Sequence, residues 1–186
     1  MGLEIPSIDP VLGWVAALGV AAIFVGSSAI KLANLTAFRA ALSDYRIVPE
    51  SIELPVAVAI PLGEMIGATG ILLNAERALA GSLLIVLLAV FSIAIGVNIA
   101  RGRRDIDCGC FGPALKQTLS ASMLVRNGGL VALCAIAIAP RSDRALGFLD
   151  VTTIAAGAVA LVTLYVSINF LMANAPRLRE FEARYA

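Results

Sequence analysis

Five runs of 21 to 26 residues carry no charge or only one. They cover 10–30, 54–75 (interrupted by Glu64), 78–100, 117–140 (interrupted by Arg126) and 151–176. A helix crosses the hydrocarbon core of a bilayer with about 20 apolar residues, so each run is long enough to span. Lipid offers no hydrogen bonds, and a run of this length satisfies its own backbone only as a helix. Composition agrees: 60% of the 186 residues are hydrophobic and 15% charged, with a mean hydropathy of +0.93. A soluble domain of this size cannot hide that much apolar surface from water. Three cysteines are too few for a disulfide-built scaffold. The expected fold is therefore an all-α integral membrane protein with five transmembrane helices. One membrane domain over 1–175 is followed by a charged tail, 176–186. The amino-terminal region lacks a basic stretch before its first apolar run, which reads as a span rather than as a cleaved signal.

Residues 32–50, LANLTAFRAALSDYRIVPE, separate the first two spans. Leu35, Phe38, Leu42 and Tyr45 recur at helical spacing, with Arg39, Asp44 and Arg46 off that stripe. This predicts an amphipathic helix lying in the interface and ending near Pro49. Alternating spans then place this segment, the loop after the third span and the carboxyl terminus on one face. That face carries ten of the fourteen Lys and Arg residues, the opposite face only Arg77, Arg141 and Arg144. The positive-inside bias puts the basic face in the cytoplasm of a cell-membrane protein. A net charge of +1 leaves no nucleic-acid footprint. The chain has no histidine, which excludes His-ligated metals and imidazole-activated nucleophiles.

Chemistry concentrates in RGRRDIDCGCFGP, residues 101–113. Cys108 and Cys110 are separated by Gly109, whose missing Cβ permits the tight backbone needed to bring them together. A disulfide across one residue departs from relaxed geometry and is easily reduced, which suits exchange better than stapling. Gly112 and Pro113 turn the chain toward the fourth span. Metal binding competes, with Asp105 and Asp107 as further ligands, but Cys-x-Cys is tighter than usual zinc spacing; redox is preferred and no metal site is assigned. Cys134, mid-way along the fourth span, reads as packing.

Lys31, Asn98, Arg101, Arg126 and Asn127 all lie toward the face that carries the dithiol. Cations there favour a thiolate, and Asp105 and Asp107 oppose them. Arg103 and Arg104 read as interfacial anchors, as Lys31 can by snorkelling. Glu64, in IPLGEMIGATG at 60–70, sits near mid-membrane at a cost of at least about 2.5 kcal/mol on insertion scales. Arg126, a few residues inside the fourth span, is the expected compensating cation, provided the second and fourth spans are neighbours.

These residues carry a resemblance. SAIKL at 28–32, DYRIVP at 44–49, IPLGEMIG at 60–67, RG at 101–102, DCGCFG at 107–112 and RN at 126–127 resemble the MauE family. These are membrane proteins of methylamine utilisation within the wider MauE/DoxX-like group. DCGCFG, which adds Phe111 to the site, is the most specific element. The resemblance implies a four-helix-bundle core and a role in disulfide handling. A thioredoxin-like (MauD-like) partner would act with it in maturing the disulfide-rich small subunit of methylamine dehydrogenase. A quinone acceptor is an option by analogy with other membrane disulfide enzymes, although no motif in the chain shows a quinone site. The family role calls for a dithiol on the outer face, whereas the charge bias puts it in the cytoplasm. Electron transfer across the membrane, or a span count different by one, would reconcile them. The leading reading is thus a membrane thiol–disulfide oxidoreductase or accessory factor, with a lipid bilayer and a thioredoxin-like or client disulfide protein as partners. The alternatives are a small transporter or channel subunit using Glu64 and Arg126, or a non-catalytic assembly factor.

Overall fold

A computed structural model describes residues 7–109 and 117–185, so Cys110, Phe111 and Gly112 lie outside the described residues. The chain forms α1 (Pro10–Ala33), α2 (Leu35–Asp44), a 3-10 turn (Glu50–Ile52), α3 (Glu53–Gly70), α4 (Arg77–Ala100), α5 (Ala121–Ile138) and α6 (Phe148–Tyr185). Among the described residues, five helices are long and apolar enough to cross a membrane, as the charge-free runs predict. Asp9 caps the first by accepting the Val11 N–H at 2.8 Å, and Pro10 fills the first turn, where its missing N–H costs nothing.

Packing follows the small residues. Gly13, Ala16, Ala17, Gly19, Val20 and Ala21 make α1 the most internal helix, packed against α3, α5 and α6. Helix α4 packs on α3 and α5, so α1, α3, α4 and α5 close a cycle with α6 laid on α1. Close approach, rather than the hydrophobic effect, holds such helices together in lipid. At Gly67 an added Cβ would lie 2.5 Å from Leu84 Cδ2, so only glycine lets α3 and α4 meet there. The core joins Val20, Phe24, Ile71, Leu84, Leu88 and Leu130 with Cys134, which is packing as expected. Large apolar side chains on the outer faces, such as Leu79, Ile93, Val125 and Leu164, are exposed; in a membrane protein they face lipid.

Helix α2 and its cap bury Phe38, Ala41 and Tyr45, leave Leu35 and Leu42 half-buried and leave Arg39, Asp44 and Arg46 exposed, so the predicted stripe is buried at Phe38 and Tyr45 and is joined by Ala41. Its end differs. Helix α2 stops at Asp44, where Arg46 turns left-handed at φ 49°, and Pro49 instead opens the 3-10 turn. Helix α6 continues as one helix through Pro176 to Tyr185. At the end opposite α2, Arg144 bridges Asp9 and Asp150 at 3.3 and 2.8 Å. Ile8 pairs with the segment around Arg141 there.

Candidate functional site

Helix α1 ends by presenting Ser27, Ser28 and Lys31, one turn apart, to α3. Ser28 Oγ donates to the Pro61 carbonyl at 2.6 Å, tying the two helices beside the proline. Lys31 Nζ donates to Glu64 Oε1 in a buried ion pair, and Ser27 Oγ donates to Oε2 at 3.4 Å. Lys31 is 2% exposed and Glu64 3%. The Lys31 ammonium also faces the rings of Phe38 and Phe91, at 5.4 and 5.1 Å from their centroids. Cation–π attraction of this kind offsets part of the cost of taking a charge out of water.

Glu64 forms an ion pair with Lys31, a partner that the sequence did not single out for it. Position along straight helices gives depth but not which side chain turns inward, and Lys31 turns inward instead of snorkelling. Arg126 lines the same cavity of about 40 Å³, together with Asn127, Tyr165 and Leu88. Its Nη1 donates to Asn169 Oδ1 at 2.8 Å and Gln117 Oε1 at 3.2 Å, and its Nη2 to Asn127 Oδ1 at 3.2 Å. Asn127 passes the chain on to Ser92 Oγ at 3.1 Å.

The cysteine loop is held from three sides. Helix α4 ends in a Schellman closure: Gly102 N–H reaches the Ile99 carbonyl and Arg103 N–H the Asn98 carbonyl, at 3.0 and 2.9 Å. Gly102 supplies the left-handed residue, φ 75°. The buried Asn98 side chain accepts from Arg103 Nη1 at 3.3 Å. Arg101, expected near the dithiol, is an exposed cap residue. Asp107 Oδ1 accepts from Gly109 N and Gln117 N, at 3.3 and 3.1 Å, binding both legs of the loop. Cys108 N–H donates to the Gln117 carbonyl at 2.9 Å, and Tyr45 Oη to the Cys108 carbonyl at 3.5 Å. Gly109 is left-handed at φ 72°, and a Cβ on it would stand 2.9 Å from Ala41 Cβ. Helix α2 thus lies directly on the cysteine loop, and Cys108 is 2% exposed.

A family model described as methylamine utilisation protein MauE matches residues 9–140. The chain belongs to the MauE family. It is 34% identical to the methylamine utilization protein MauE of Paracoccus versutus over 165 residues, 88% of each chain. Identity to the MauE of Methylorubrum extorquens is 37% over 118 residues, 63% of each chain. No solved structure matches the chain. The MauE match takes in α1 to α5 and every site residue proposed from sequence. It ends before α6 and so leaves out Asn169, which is fully buried against Arg126 and Gln117.

Sequence reasoning missed Asn169, Gln117, Ser27, Ser28 and Glu53. A polar amide inside an otherwise apolar span was the available signal for Asn169. Glu53, 5% exposed, pairs with Arg39 of α2 at 3.5 Å, and only the fold brings those two together.

Proposed function

We propose that this MauE-family membrane protein is a thiol–disulfide redox protein, or the membrane subunit of one, with Cys108 and Cys110 as its exchanging pair. The observation that carries this reading is the left-handed Gly109 between the two cysteines, anchored by Asp107 and seated on Ala41. Such a backbone holds neighbouring cysteines in a tight turn, and a strained bond across one residue favours exchange. In the reaction, a thiolate of the pair attacks a disulfide, forming a mixed disulfide and releasing one thiolate. The second cysteine then displaces the other sulfur, so the pair is oxidised to S–S and its partner reduced to two thiols. The reverse sequence oxidises the partner. A thioredoxin-like protein or a client disulfide protein is the proposed partner, and the positive-inside bias places the loop on the cytoplasmic face.

The Lys31–Glu64 pair and Arg126 are proposed to tune and support this site from beneath the loop. A transport pathway through them has less support, since the cavity of about 40 Å³ that they line has room for only about three waters.

Thiol trapping tests the reading. Membranes treated with oxidant or reductant should interconvert a two-thiol form and a Cys108–Cys110 disulfide form, and Cys108→Ser or Cys110→Ser should abolish the interconversion. A pair that stays reduced under mild oxidant refutes it. A membrane-impermeant maleimide applied to intact cells and to inverted vesicles reads the sidedness of Cys110 in the same preparation.

A further inference from the structure

Helices α5 and α6 both pack on α1, and toward the basic face a groove of about 530 Å³ lies between them. Val125, Gly129 and Leu133 form its α5 wall, and Leu161, Leu164 and Ile168 its α6 wall. A volume of this size is within the range of about 300–1,000 Å³ that takes a ligand. The two walls match in length. From Ser122 to Leu133 on α5, and from Leu161 to Met172 on α6, the rise is about 16 Å. Half of a bilayer's hydrocarbon core is about 15 Å. The groove thus runs the depth of one leaflet and ends where α6 closes on α1: a Cβ on Gly19 would stand 2.9 Å from Leu161 Cδ2, and one on Gly157 2.9 Å from Val15 Cγ2. Its other end, at the basic face, is polar. Ser122 is exposed there, and Arg126 is the one charged residue among the described lining. Arg126 reaches back toward the start of α5, where its Nη1 donates to Gln117, which precedes the helix, and to Asn169 of α6. The guanidinium bridges the two walls at that end.

We propose that this groove binds an anionic phospholipid of the leaflet on the basic face, with one acyl chain between α5 and α6 and the phosphate at Ser122 and Arg126. Length selects the occupant. A partner's transmembrane helix needs a groove across the whole core, about 30 Å, which is twice the length present. An acyl chain is anchored at one interface and ends near the midplane, as the groove does. The apolar walls offer it dispersion contacts along that whole length. Charge selects the headgroup. A phosphate accepts from a guanidinium in short, charge-assisted hydrogen bonds, and the Ser122 hydroxyl is a second donor at the same end. Ten of the fourteen Lys and Arg residues lie on that face, and cations near a membrane surface draw anionic lipid to it. Gln117, which holds Arg126, also accepts the Cys108 N–H through its carbonyl, so the bound lipid braces the segment on which the cysteine loop rests. The site stands whether or not the cysteines exchange.

The test titrates the full chain, delipidated in detergent, with dioleoylphosphatidylglycerol and separately with dioleoylphosphatidylcholine, and native mass spectrometry counts the bound lipid. One phosphatidylglycerol should bind per chain ahead of any further lipid, about fivefold tighter than phosphatidylcholine, near 1 kcal/mol. Gly128 and Gly129 are both exposed, and a Cβ on either meets no atom within 4 Å, but of the two only Gly129 lines the groove. Gly129→Leu should therefore weaken phosphatidylglycerol binding by about tenfold or more, near 1.4 kcal/mol. Gly128→Leu makes the same change in composition and helix propensity and should bind as wild type does. Ser122→Glu puts a carboxylate at the polar end and should abolish the preference for phosphatidylglycerol while leaving phosphatidylcholine affinity unchanged. Equal weakening in the two glycine variants means loose boundary lipid and overturns the site, as does wild-type affinity in Gly129→Leu. Equal affinity of the wild type for the two lipids overturns the anionic headgroup. A wild-type dimer that Gly129→Leu dissolves gives the groove to a second copy of the chain and overturns the lipid.

Discussion

Removing Lys31 should expose how much the buried ion pair carries. In Lys31→Met the Glu64 carboxylate stays buried and keeps the Ser27 hydroxyl donating at 3.4 Å but loses the Lys31 cation. Breaking a buried pair from one side costs about 3–5 kcal/mol, because the remaining charge stays desolvated. The lost contacts with Phe38 and Phe91 add about 0.5–2 kcal/mol. At roughly 2–4 °C per kcal/mol for a chain of this size, the pair alone corresponds to a fall in Tm of roughly 6–20 °C. Glu64→Gln should fall by a similar amount, since it strands the ammonium instead. The double variant Lys31→Met/Glu64→Gln removes both charges and should be less destabilised than either single variant, which corresponds to a coupling above about 3 kcal/mol. Thermal unfolding in detergent, followed by circular dichroism, reads all four corners of the cycle. Additivity within about 0.5 kcal/mol, or a Glu64→Gln variant as stable as wild type, would refute the pairing. A larger coupling in the parallel cycle with Arg126→Met would move the partnership to α5.

Three further outcomes are expected. Gly109→Ala forces a left-handed Cβ, about 1–2 kcal/mol, into Ala41 at 2.9 Å; the loop should lift and Cys108 should label faster with maleimide, with Ala41→Gly relieving the contact but not the backbone cost. Asn169→Leu removes the acceptor 2.8 Å from Arg126 and should lower stability by about 1–3 kcal/mol, while a hydroxylated or amide replacement such as Gln recovers part of it. At the opposite end, Arg141 lies 4.4 Å over the ring of Trp14, the single tryptophan, and burial together with the nearby Arg77 charge pushes its pKa down to about 10. The folded chain therefore releases this proton at lower pH than the unfolded chain does, so this group's contribution to stability rises with pH from about 10 toward the ordinary arginine range. Trp14 fluorescence should titrate with a midpoint near that value, and Arg77→Gln should move the midpoint up; an emission flat across that window would refute the assignment.

Hydrophobic length and charge position are one-dimensional quantities, which is why the five spans, the mid-membrane Glu64 and the gathering of Lys31, Arg126 and the cysteine loop toward one face were legible in the chain. A span is declared by its own residues, whatever its neighbours. Gly109 was legible for the same reason, since a left-handed turn between two cysteines is a local demand. Partnership is a different kind of quantity. Whether Lys31 snorkels outward or bends inward depends on the azimuth of α1 and on which helix lies against it, and the close packing of α1 on α3 settles that as an ion pair with Glu64. Arg126 bonds Gln117 and Asn169, residues 9 and 43 positions away, which meet only once α6 is packed on α1. The groove between α5 and α6 is likewise a property of packed helices, and no single segment contains it. Sequence determined where each polar group sits along the membrane normal; tertiary packing decided what each one faces, because in a low-dielectric interior a buried charge or amide is stable only opposite a matching partner.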